Sequence, residues 1–274
     1  MSTVSNSKTP KELAFIQDLF IAPDWGERFA SLIDEHVKLP QKGRLLYAVV
    51  GTGGHALALR QSAGEELEFL CVEENQECIE LARAKALSLK ASADFLSGNL
   101  EALDLKDDQF DLVIGDLSLV APERLSEIIQ ELIRVTKPHG TVAVMLATAS
   151  SFGEFFSIYW EALHNSEFAE GEVDIESLLN ALPTVSEVEA IGSGEGLVDV
   201  NSWTQIEEFD YKSGEDFLNA PLISDFLMKG WLGSLAPDNQ ERVTQEIANL
   251  INEERHNAEF SLTVKATLLI GKKG

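Results

Sequence analysis

The stretch that decides the fold is Leu45-Leu46-Tyr47-Ala48-Val49-Val50-Gly51-Thr52-Gly53-Gly54-His55-Ala56. Six consecutive apolar or aromatic residues run into three glycines, the pattern of a buried strand that turns sharply into a helix. Glycines at that turn let backbone approach a ligand with no Cβ in the way, and the helix start offers unpaired N–H groups. Glu73 stands roughly 20 residues further on, where the next strand ends, placed to accept from two ribose hydroxyls. Together these features predict a nucleoside-binding crevice.

Working outward, the same alternation recurs. Strands are expected at 45–50, 67–72, 93–96, 110–114 and 141–146, with helices at 75–89 and 122–135 and a turn at Lys137-Pro138-His139-Gly140. Such a rhythm predicts parallel βαβ units in an α/β fold, a doubly wound, mostly parallel seven-stranded Rossmann-like sheet with a helical cover; the last strand is expected to run antiparallel. Upstream, apolar residues from Leu13 to Ile33 recur at helical spacing, and Pro23 is expected to split that segment into two short helices. Downstream, helices are expected at 152–163, 175–182 and over much of 214–257, a long strand at 197–209, and a last strand at 261–270 with Leu262, Val264, Ala266 and Leu268 on one face. Glu167 to Glu172 reads as a solvated loop. Three parts follow: an N-terminal helical segment (1–43), a core (44–150) and a cover with the last strands (151–274).

Composition narrows the function. Among 274 residues, 46 acidic against 21 basic side chains leave a net charge of -25, which opposes nucleic acid and anionic membrane surfaces. Mean hydropathy is -0.02, and no apolar run is long enough to span a bilayer. The first 20 residues lack a secretory pattern. The two cysteines, Cys71 and Cys78, make neither a disulfide framework nor a metal site, so the expectation is a reducing cytoplasmic setting and no metal.

Two ligand classes fit the glycine loop, because Gly51-x-Gly53-x-x-Ala56 also satisfies the dinucleotide fingerprint of NAD-dependent oxidoreductases. Further segments separate them. Cys71-Val72-Glu73-Glu74-Asn75-Gln76-Glu77-Cys78, Ser97-Gly98-Asn99-Leu100-Glu101, Gln109-Phe110-Asp111-Leu112-Val113-Ile114 and Leu132-Ile133-Arg134-Val135-Thr136-Lys137-Pro138-His139-Gly140-Thr141 follow in order. This succession resembles the class I S-adenosylmethionine-dependent methyltransferases, especially the small-molecule branch called type 11, over about residues 15–150.

The resemblance implies S-adenosylmethionine as cofactor and methyl transfer to a small-molecule acceptor. It implies that Gly51, Thr52 and Gly53 line the methionine part and that Glu73 binds the ribose. Glu74, Asn99 and Leu100 would flank the adenine, and Asp116 would sit beside the methyl group. Two positions depart from the family pattern: Tyr47 stands where an acid is common, and Val49 where glycine is. The first removes a charge at the methionine end, and the second adds bulk. Alternatives are a non-catalytic methyltransferase-like binding protein and an NAD-dependent oxidoreductase.

No general base is evident. His55 lies beside the loop, His139 in a turn, and His164 and His256 near helix ends. Phe152, Phe155, Phe156, Tyr159 and Trp160 share a helical face that either walls an acceptor pocket or packs into the core, the latter being favoured. Trp203, Phe209, Tyr211, Phe217, Phe226, Met228 and Trp231 populate a candidate lid.

Overall fold

A computed structural model describes residues 8–166, 174–254 and 259–274. The predicted 167–172 loop and His256 lie outside them. The central strand β1 (Gly43–Ala48) is flanked by β2 (Leu67–Glu73) and β4 (Phe110–Asp116), with β3 (Asp94–Ser97) beyond β2. On the other side follow β5 (Thr136–Ala147), β7 (Phe260–Lys273) and β6 (Leu197–Tyr211), giving the order β3-β2-β1-β4-β5-β7-β6. β1 to β5 pair in parallel, whereas β7 runs antiparallel to both β5 and β6. Consecutive strands diverge between β1 and β4. A crevice must open there beyond the strand ends, because the connecting chains leave to opposite sides.

Alternation along the strands builds two cores. Leu45 and Tyr47 of β1 face one layer, with Leu262, Val264, Ala266 and Leu268 of β7. Helices α2 (Glu27–His36), α3 (Gly54–Ser62), α4 (Gln76–Leu89) and α6 (Gly153–Asn165) cover that face. Leu46 and Ala48 face the second layer, covered by α5 (Leu125–Val135) and α8 (Val185–Gly194). The remaining α-helices among the described residues are α1 (Pro10–Ile16), α7 (Ile175–Leu179), α9 (Gly214–Asn219), α10 (Met228–Leu232) and α11 (Pro237–Glu254), with a π-helical segment, Leu222–Leu227, leading into α10.

Three local readings are corrected. Pro23 does not split the N-terminal helix: it lies inside a π-helical segment, Gln17–Gly26, that joins α1 to α2. The wider turn absorbs the missing N–H and the ring that would break an α-helix. Lys137–Gly140 is not a turn ahead of β5 but an irregularity within it: pairing jumps from Phe110↔Thr136 to Leu112↔Thr141, and His139 takes φ +65°. Helix α8 was not expected, although Thr184 and Glu187 form a capping box at its start, a signal visible in the sequence. The aromatic residues of α6 pack inward, Phe155 stacking on Trp231 with centroids 4.1 Å apart, while Trp160 stays exposed.

Candidate functional site

Beyond the end of β1 the chain takes three left-handed steps, at Val49 (φ +55°), Gly51 (+53°) and Gly53 (+80°). Glycine adopts such angles freely, but a β-branched residue pays about 1–3 kcal/mol of strain. The loop therefore keeps its path with valine forced into it. Val49→Gly should change stability by less than about 1 kcal/mol in urea unfolding, since relieved strain of about 2 offsets about 1 of added chain freedom and about 1 of packing lost against the second core. A loss of about 2 kcal/mol or more would show that the loop is not strained.

Glu73 lies under this loop, 8% exposed. Its Oε2 accepts from Gly51 N (2.9 Å), and its Oε1 from Glu74 N (2.9 Å) and Asn75 N (3.2 Å). Burial pushes its pKa up, and the three backbone donors oppose that. Asn75 then caps α4 by accepting from Glu77 N at 3.0 Å. One carboxylate thus ties the end of β2 to the turn after β1.

The π-helical segment roofs the loop. Thr52 Oγ1 donates to Asp18 Oδ1 (2.6 Å), and Lys85 bonds both Asp18 and the Thr52 carbonyl. Gln17 reaches toward Gly51, where a Cβ would lie 2.7 Å from its Nε2. Trp25, 1% exposed, stacks on Phe29 and Phe209 and donates from Nε1 to Ser118 Oγ (2.9 Å). The backbone N–H of Ser118 donates to Asp116 Oδ1 at 3.2 Å. Burial raises the pKa of Asp116, opposed by Ser118 and by nearby His55.

Between roof and loop lies a cavity of about 580 Å³, bordered by Trp25, Tyr47, Val49, Gly51, Thr52 and Asp116. Tyr47 Oη is 2.9 Å from His55 Nδ1, and His55 Nε2 is 3.1 Å from Asp34 Oδ1. Asp18, Glu27, Asp34 and Asp116 border the cavity against one lysine, Lys85, so its potential favours a cation.

Of the residues expected at a cofactor site, Gly51, Thr52 and Asp116 meet at this cavity, with Glu73 beneath it. Glu74, Asn99 and Leu100 gather separately. Arg124, the last residue of a 3₁₀ turn (Pro122–Arg124) that leads into α5, bonds Glu74 (2.8 Å) and Glu101 (2.5 Å). Leu100 N–H points to Glu74 Oε1 at 3.5 Å, and Asn99 Oδ1 accepts from Glu101 N at 3.0 Å. Sequence reasoning missed Trp25, Lys85, Arg124 and the Asp34–His55 contact. Only the unusual Tyr47 beside a loop histidine hinted at the last.

Residues 46–140 match the model of a methyltransferase domain. A demethylmenaquinone methyltransferase of Lactococcus lactis is 27% identical over 81% of this chain and 75% of its own length. Among solved structures, the YcgJ protein of a Bacillus species superposes with a TM-score of 0.59 at 17% identity, covering 90% of this chain and 98% of its own. Haemonchus contortus phosphoethanolamine N-methyltransferase 2, solved with phosphomonomethylethanolamine and S-adenosylhomocysteine, gives 0.56 at 13%, over 98% and 59%.

Proposed function

Because the chain carries a methyltransferase domain of the class I S-adenosylmethionine-dependent family, we propose that it transfers the methyl group of S-adenosylmethionine to a small, partly apolar acceptor bound under the N-terminal helices. The observation that carries this reading is the acidic cavity built on the glycine loop of the matched domain.

The residues present fit that cofactor. A Cβ at Gly54 would meet nothing within 4 Å, so the loop leaves open space where a ligand approaches. A sulfonium is a cation, and the four cavity carboxylates suit it while disfavouring anionic acceptors. In this reading Gly51, Thr52 and Asp116 hold the methionine end, while Gly53 does not border the cavity and serves the turn, its open side closed by Ala82 and Phe95. Glu73 accepts a ribose hydroxyl at the lone pair of Oε2 that Gly51 leaves free. Glu74, Asn99 and Leu100 take the adenine once Leu100 N–H turns from Glu74.

The cofactor supplies an activated methyl group. The protein's part is to align acceptor and sulfur in line and to exclude water, and Trp25 with Ile21 and Leu119 supplies that dry wall. Two free, buried cysteines support a cytoplasmic setting. No described helix is long and apolar enough to cross a membrane.

The Arg124–Glu74–Glu101 cluster favours a second reading, a binding protein on the same fold without transfer, because it occupies the adenine end. Calorimetric titration with S-adenosylmethionine, S-adenosylhomocysteine and NAD separates the cases. Saturable binding of both sulfur nucleosides and none of NAD is expected, with methyl transfer then sought across neutral and cationic acceptors. Absence of nucleoside binding would sink the proposal, and NAD binding alone would replace it with redox chemistry.

A further inference from the structure

The position where this family pattern commonly has an acid holds Tyr47, and Tyr47 begins a chain of hydrogen bonds that ends in solvent. Its hydroxyl is 2.9 Å from His55 Nδ1, while His55 Nε2 is 3.1 Å from Asp34 Oδ1. The carboxylate of Asp34 can only accept, so Nε2 carries the imidazole proton and donates. In neutral His55, Nδ1 is then bare and must accept from the tyrosine. That leaves the lone pairs of Tyr47 Oη without a donor among the described residues, at the border of the cavity, in a side chain 3% exposed. At the other end Asp34 is 60% exposed on α2, open to water.

The order hydroxyl, imidazole, carboxylate is the arrangement by which a weak base is made effective: the imidazole takes the hydroxyl proton and the carboxylate holds the imidazolium. Burial, with Asp116, Cys71 and Asp34 nearby, holds Tyr47 well above the ordinary phenol range, so it stays protonated at rest. The groups facing His55 are Asp34, Tyr47 and Asp116, the last near enough for its charge to matter.

Resting on the methyltransferase reading, the geometry points to Tyr47 as the general base of an acceptor that bears an ionisable hydroxyl on an apolar, flat body, with His55 and Asp34 as its positioning residues. The acceptor O–H proton passes to Tyr47 Oη as the tyrosine proton passes to His55 Nδ1. The acceptor oxygen's electron pair forms the new bond to the methyl carbon, and sulfur keeps the pair of the S–CH₃ bond that breaks. The flat apolar body follows from Trp25, Val49 and Leu119 on the cavity wall, and the neutral resting charge from its carboxylates.

The test needs no turnover. Protein is saturated with sinefungin, which has a cationic amine in place of the sulfonium, and 4-nitrophenol is added at a pH equal to its own pKa, above the ordinary imidazole value, so that a neutral ring can accept the proton. The wild type should deepen the yellow of the bound probe, raising its ionised-to-neutral ratio by about tenfold, one pKa unit. Tyr47→Phe should leave that ratio unchanged, and Asp34→Asn, a change on an exposed helix face, should reduce the yellow fraction. Nitrogen NMR of the ring should find the Nε2–H tautomer at His55. A ratio that stays unchanged on the wild type, or rises equally on Tyr47→Phe, overturns the proposal alone. Failure of sinefungin to bind in calorimetry brings down the methyltransferase reading and this inference with it.

Discussion

Glu73→Ala should lose about 3 kcal/mol of stability and all measurable affinity for S-adenosylhomocysteine. Three backbone N–H groups converge on this one carboxylate. A hydrogen bond to a charged group contributes about 1.5–3 kcal/mol, and a buried donor left alone costs about 1–3. Some of the three will recover water where the turn reaches the surface, which keeps the total near the lower end of their sum. Affinity falls because Gly51 loses the anchor that shapes the loop, as well as through the proposed ribose contact. Glu73→Gln separates these effects, since its amide oxygen can still accept from Gly51.

The same residue predicts a pH dependence with a definite sign. Its folded pKa is raised above the ordinary carboxylate value, chiefly by burial. The folded state therefore holds its proton to higher pH than the unfolded chain. This contribution is fully present below the unfolded pKa and is lost as pH rises through the folded one. The stability difference between wild type and Glu73→Gln, followed by urea unfolding from acid to neutral pH, should move against the wild type as pH rises. A difference that moves the other way would mean the backbone donors outweigh burial.

Trp25→Ala is the second large effect, at about 4 kcal/mol, the range for deleting a fully buried tryptophan. Its indole stacks on Phe29 and Phe209, centroids 4.8 and 5.4 Å away, and holds Ser118 through Nε1. For a domain of this size, that loss lowers Tm by about 8–16 °C. The roof should also open, exposing bonds in the π-helical segment to protease, while Trp25→Phe keeps the stacking and loses only the Ser118 bond. A Tm within about 2 °C of wild type would show that the roof is held elsewhere.

What could be read from the sequence was what local pattern encodes. The apolar run before Gly51, the glycines and Glu73 are set by spacing along neighbouring strands, so their mutual placement was predictable. The doubly wound parallel core followed from the same rhythm, whereas the strand order is set by pairings that the sequence does not display. The relay was not readable, because Asp34 lies on α2 and meets His55 only when that helix packs against the sheet at β5 and β7. The same is true of Trp25, whose partners Ser118, Phe152 and Phe209 come from distant segments. Pro23 misled for a different reason: its rule describes α-helices, and the widened turn here satisfies the chain in another way.

The place of β7 bears on how the molecule is made. This strand comes after β6 in the chain but lies inside the sheet, bonded to β5 on one side and to β6 on the other. During synthesis β6 emerges first and must wait, through the whole of 212–259, with both of its edges unpaired. Its residues Val198 and Ile206 stay exposed even in the finished sheet. A long strand without a partner is a template for pairing with another chain. The nascent protein is therefore most prone to aggregate in that interval, and a change that slows synthesis between β6 and β7 would lower the yield of folded protein while leaving its final stability untouched.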